Sequence, residues 1–203
     1  MTVVAMVAGA PIAEAEVDAR EAALRSGPRA AALPASGTSE GRQLRRWLTQ
    51  LIVTERVVAA EFAARGLSAS AAPSESELLP DLTARMEMGS VAAAALADPR
   101  ARALFVSLTA AVHVTTEQVA GYHARNPLRF APPRTLGYGW RAPAATAPPL
   151  DRAGPLIAEH LLGVARRRVF RDWLDARRAA LVQLAPGYEH PGDPRQPDNT
   201  HRH

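Results

Sequence analysis

The chain reads as mainly helical, with short strands near its two ends. Alanine dominates the hydrophobic fraction, which is 47%, while aromatics make up only 5%. Alanine favours helix and buries little area, so closely packed helices around a thin core of Leu, Val, Phe and Trp are expected. Long segments place apolar residues three and four apart, the spacing of one helix face. A short β-branched run sits at Val3–Val7, and Val182-Gln183-Leu184 near the other end suits a short strand.

Val3 to Val7, then Ala8-Gly9-Ala10-Pro11-Ile12, predicts a strand, a turn and a strand end. Glu14, Glu16 and Asp18 open a helix with acids in its first turn, where they complement the helix dipole. That helix fades near Ser26-Gly27-Pro28, and Pro34 to Gly41 is a loop of small residues. The strongest helix runs from about Glu40 to Arg65. Its stripe is Leu44, Trp47, Leu48, Leu51, Val58 and Phe62, and Gly66 stops it.

Ser74 and Glu77 suit a capping box for a helix carrying Leu78, Leu82 and Met86. An alanine-rich helix follows over Val91 to Ala97. Asp98-Pro99 then reads as N-cap and first turn of a helix reaching Val112. Thr115 or Thr116 caps the next, which ends near Arg125. Residues 131–150 are rich in proline and carry Gly137-Tyr138-Gly139-Trp140, a linker or extended arm. A long helix is predicted from Pro155 to Val182, with Ile157, Leu161, Val164, Phe170, Trp173, Leu174 and Leu181 on its apolar side. The organisation expected is therefore a lobe over 1–130, an arm over 131–150, a helix and strand over 151–185, and a tail over 186–203. The tail, rich in Pro, Asp, Arg and His, should have no core of its own.

Composition narrows the function classes. No cysteine is present, which removes disulfides, thiolate metal sites and cysteine nucleophiles. All 24 basic residues are arginine, and the net charge is only +4. Arginines and acids alternate, as in Arg168–Asp172 and Arg171–Asp175, four apart on a helix face. A nucleic-acid partner would want a single-signed stripe, so none is expected. The apolar start, Met1 to Ala8, lacks a basic flank and meets Glu14 and Glu16 early, unlike a secretory signal. No apolar run reaches the roughly 18 to 20 residues of a membrane span. A cytoplasmic protein without a membrane partner is expected.

Four segments, in order, carry a family resemblance. Ala5-Met6-Val7-Ala8-Gly9-Ala10-Pro11-Ile12 parallels a strand-turn motif in which Asn stands where this chain has Ala8. Leu51-Ile52, Glu61-Phe62 and Gly66-Leu67 parallel the second. Thr115 to His123 running into Asn126-Pro127-Leu128-Arg129-Phe130 is the third. Phe170-Arg171-Asp172-Trp173-Leu174, leading to Leu181–Leu184, is the fourth. Together they resemble the N- and C-terminal chaperone parts of SurA/PrsA-type parvulin folding factors. The resemblance implies a helical, SurA N-domain-like chaperone lobe with a small sheet of terminal strands, the last strand returning to the first. It implies a polypeptide client or dedicated protein partner. The parvulin domain of that family needs roughly 90 to 100 residues, which 131–150 cannot supply, and its catalytic His pair has no counterpart. Binding without catalysis is the expectation, although similarity alone would suggest a peptidyl-prolyl isomerase.

On this reading Leu78, Leu82 and Phe105 line a peptide cleft, joined by the arm aromatics Tyr138 and Trp140. The alternative is a metal-binding accessory protein or metalloenzyme using the tail. His190, Asp198, His201 and His203 offer three or four N/O ligands for zinc, nickel or copper, against a tail that is simply solvated. His113, His123 and His160 are expected to be structural: the first near a helix end, the last bordering the core. Trp47, Phe170 and Trp173 are expected core anchors.

Overall fold

The computed structural model describes residues 2–28, 30–131 and 146–193. Strands β1 (Val3–Val7) and β2 (Ala10–Ala13) lead into helices α1 (Glu14–Arg25) and α2 (Ser39–Ala64), with a 3-10 turn at Ala30–Ala32 between them. Then come α3 (Glu75–Leu78), α4 (Leu82–Met88), α5 (Ser90–Ala95), α6 (Pro99–Thr109) and α7 (Thr116–Arg125). Helix α8 (Leu150–Leu181) runs directly into β3 (Val182–Leu184). The fold is mainly helical, with one small antiparallel sheet made by the terminal strands.

The sheet has the order β2-β1-β3, so the central strand pairs with the strand that follows it and with the last one. Val7 faces Ala10 across a two-residue turn, and Ala5, Met6 and Val7 face Leu184, Gln183 and Val182. Ala8 and Gly9 both have positive φ, 50° and 80°. Such primed turns match the natural strand twist. Glycine adopts the conformation freely; Ala8 holds it against its own Cβ.

Helix α2 is the hub. From Leu48 to Thr54 it is buried without interruption, so the predicted stripe widens into a helix surrounded by others. Its polar residues are satisfied inside the protein. Thr49 and Thr54 donate back to the carbonyls of Arg45 and Gln50. Gln50 Nε2 donates to the Tyr188 carbonyl at 2.7 Å, and its side-chain oxygen accepts from Arg178. Glu61 accepts from Arg65 and Arg177, each at 2.6 Å. Arg65's hydrogen bond, opposed by burial and joined by that of Arg177, holds the Glu61 carboxyl below its ordinary value. Arg45 clamps α1 to α2 through Asp18 at 2.7 Å and Glu21 at 2.9 Å.

The caps fall where the sequence places them: Ser74 with Glu77, Asp98 before Pro99, and Thr115 with Gln118. Four features differ. The helix expected to carry Leu78, Leu82 and Met86 is broken in two at Pro80, because Asp81 starts a new N-cap. Helix α8 begins at Leu150, five residues before Pro155, which therefore stands inside the helix and leaves the Asp151 carbonyl without its i→i−4 N–H. Arg168 pairs with Asp172, but Arg171 leaves Asp175 and donates to the Glu87 carbonyl instead. The start of the tail is docked: Gly187 accepts from Arg46, and the Tyr188 hydroxyl donates to Glu14.

Ala8→Asn should relieve the turn strain, raising stability by about 1 kcal/mol and the melting temperature by ~2–4 °C. An unchanged or lower melting temperature would show that the hairpin turn is not strained.

Candidate functional site

Two walls and a floor form the main cleft, a cavity of about 350 Å³. Leu78, Pro80, Ala84 and Glu87 supply the first from α3 and α4, and Phe105 of α6 closes the floor. The second wall is one stripe of α8. Leu156, Glu159, His160, Gly163, Arg166 and Arg167 recur at helical spacing and all face the space. Arg129, just past α7, completes the rim.

Aromatic packing fixes that rim. The Tyr122 and Phe130 rings lie 5.6 and 5.8 Å from the His160 ring, and the Tyr122 hydroxyl is 3.4 Å from His160 Nε2. His123 Nε2 donates to the Pro148 carbonyl at 2.8 Å. That bond ties the segment just before α8 to α7.

Most charges in the cleft already have structural duties. Glu77 closes its capping box with Ser74, Asp81 caps α4 through the Ala84 N–H, and Glu87 accepts from Arg167 Nε at 2.8 Å. The Arg167 side chain is only 8% exposed, and it also donates to the Leu78 carbonyl. Gly163 makes room for it, since a Cβ there would stand 3.1 Å from Arg167 Nη1. Arg166 differs, because its Nε is closed off from solvent with no hydrogen-bond partner. The result is a surface with apolar patches and an uncommitted guanidinium, suited to recognition.

Of the candidates for a peptide cleft, Leu78 and Phe105 both line this cavity. Leu82 stands outside it on the far face of α4, 72% exposed, beside the equally exposed Met86. Tyr138 and Trp140 lie outside the described residues, as do Asp198, His201 and His203. The remaining tail candidate, His190, borders a second cavity of about 280 Å³ with Thr54, Ser90, Arg171 and Arg178. Its Nδ1 accepts from the Gly192 N–H at 3.0 Å. Burial first, then the Arg178 charge, holds its pKa below the ordinary value. A neighbouring cation disfavours a bound dication. Among the described residues no group of three or more His, Cys, Asp or Glu is placed to hold a metal ion, and no helix is long and apolar enough to cross a membrane.

Residues 3–40 match a family described only as a family of unknown function, DUF7158. The match covers the β-hairpin, α1 and the approach to α2, and it contains none of the cleft residues. No curated protein and no solved structure matches the chain.

Arg167→Ala should destabilise the fold by about 2–3 kcal/mol in urea denaturation, because it strips a partner from Glu87 and from the Leu78 carbonyl. Arg168→Ala, on a side chain 77% exposed, should change stability by less than ~0.5 kcal/mol. Equal effects would contradict the role given to Arg167.

Proposed function

We propose that this chain is a non-catalytic polypeptide-binding protein, a chaperone-like lobe of the SurA/PrsA type without its isomerase domain. The observation that carries the reading is the cleft between α4 and α8, where Leu78, Phe105 and Leu156 line a space whose walls are already joined by the Arg167–Glu87 ion pair. Such a surface buries client apolar side chains without first breaking the protein's own salt bridges.

Two further features support it. The last strand pairs with the first, so that one lobe forms from both chain ends. His123 of α7 also holds the Pro148 carbonyl just before α8, so the described residues flanking the arm pack against each other. Partners in this reading are unfolded polypeptides or one dedicated protein, met in a reducing compartment that suits a chain without cysteine.

Light scattering of a chemically unfolded, aggregating client tests this directly. Stoichiometric amounts of the protein should slow aggregation several-fold, and a charge placed on the cleft wall, Leu156→Asp, should remove most of that effect while far-ultraviolet circular dichroism stays unchanged. Aggregation at the uninhibited rate, with no polypeptide retained in a pull-down, would refute the proposal.

A further inference from the structure

The second cavity, about 280 Å³, lies between α8, the junction of α4 and α5, and the docked start of the tail. Its ionisable lining is Arg171, Arg178 and His190 against one carboxylate, Asp175, so positive charge is in excess. Arg171 and Arg178 stand seven positions apart on α8, two turns along the same face. Among the described residues Asp175, which is exposed, forms an ion pair with neither. Arg178 is part-buried yet bonds only neutral oxygens, the carbonyl and side-chain oxygens of Gln50 and the Thr54 hydroxyl. A cation drawn out of water ordinarily has an anion beside it. Burial disfavours the charged form of Arg178, and the Asp175 charge offsets this only in part. Arg171 donates to the Glu87 carbonyl at 2.9 Å, and the carboxylate it pairs with, Asp172, stands 3.8 Å away.

Two neutral donors complete the lining. Ser90 Oγ accepts from the Trp47 indole at 3.1 Å, which leaves its own proton to give. His190 Nδ1 accepts from the Gly192 N–H, so a neutral ring carries its proton on Nε2. We propose that this cavity is a phosphate site, with Arg171 and Arg178 binding the oxyanion and Ser90 and His190 donating beside them. Such a site is independent of the cleft and of polypeptide binding. Guanidinium N–H groups meet phosphate oxygens in pairs, and a group with oxygens on every side suits a space lined by donors. Facing two cations and one carboxylate, a dianion gains about twice the net attraction that a chloride does. Bound there, it joins α8 to α5 and to the start of the tail, and so stabilises the folded chain. The phosphate is either inorganic or the end of a monoester.

Calorimetric titration and thermal melting of the intact protein test this, with inorganic phosphate or glycerol 3-phosphate set against chloride at equal ionic strength. At least one of the two should bind saturably at one site per chain and raise the melting temperature above the chloride control. The tighter of the two identifies the source. Arg171→Gln should weaken that binding about tenfold. Asp175→Asn, at an exposed position, should tighten it about two- to threefold. Arg129→Gln, in the other cleft, should leave it unchanged. Absence of saturable binding by both probes, or equal affinity in the parent chain and Arg171→Gln, would overturn the site. A loss in Arg129→Gln as large as in Arg171→Gln would mark a general charge effect and overturn it too. Should Arg171→Gln fail to fold, Asp175→Asn decides, and an affinity unchanged by it overturns the site.

Discussion

Pairing of β3 with β1 is the constraint on which the rest depends. It brings residue 184 back to residue 5 and thereby fixes one end of a 32-residue helix. With that end anchored, α8 must lie across α2, where Arg178 donates to Gln50 and Thr54 and Arg177 reaches Glu61. These are part-buried polar contacts, costly to leave unmade, so they favour one alignment of the two helices over a slipped one. Further along, the same alignment sets Arg167 against Glu87 and spaces α8 from α4 by the width of a cleft. Thin apolar packing, from a chain rich in alanine, is compensated by this specificity of polar contacts.

The cleft follows from the same economy. Alanine-rich helices approach closely and leave little void, so a long side chain set between them shapes the cavity beside it. Here that side chain is Arg167. It crosses Gly163, bonds Glu87 and the Leu78 carbonyl, and so ties α3 and α4 to α8 beside the cleft. Around it lie hydrophobic side chains with partial exposure and an arginine with an unmet donor.

Local signals made the elements legible in the sequence. Ser74, Asp98 and Thr115 announce helix starts because their side chains satisfy specific orphan N–H groups, and each does so in the fold. The β-branched ends announce strands, although only the family resemblance suggested that they pair with each other. Half of the cleft was legible: Leu78 and Phe105, but not the α8 side. Its signal was present in the spacing of Leu156, Glu159, His160, Gly163, Arg166 and Arg167, a polar stripe beside the apolar one with a glycine in mid-helix. Charged residues at that spacing ordinarily mark a solvated face, and only the approach of α4 converts this one into a wall. Leu82 shows the converse. Its hydrophobicity suggested the cleft, yet the break at Pro80 rotates it to the outer face.

Hydrogen–deuterium exchange of the intact protein, with and without a saturating unfolded polypeptide, addresses the central claim that this cleft is where a client is held. The account predicts new protection in residues 78–88 and 156–167, the two facing walls, with the β-hairpin and α1 unchanged. Protection confined to the hairpin, α1 or the second cavity near His190, with the α4 and α8 walls unaffected, would contradict it.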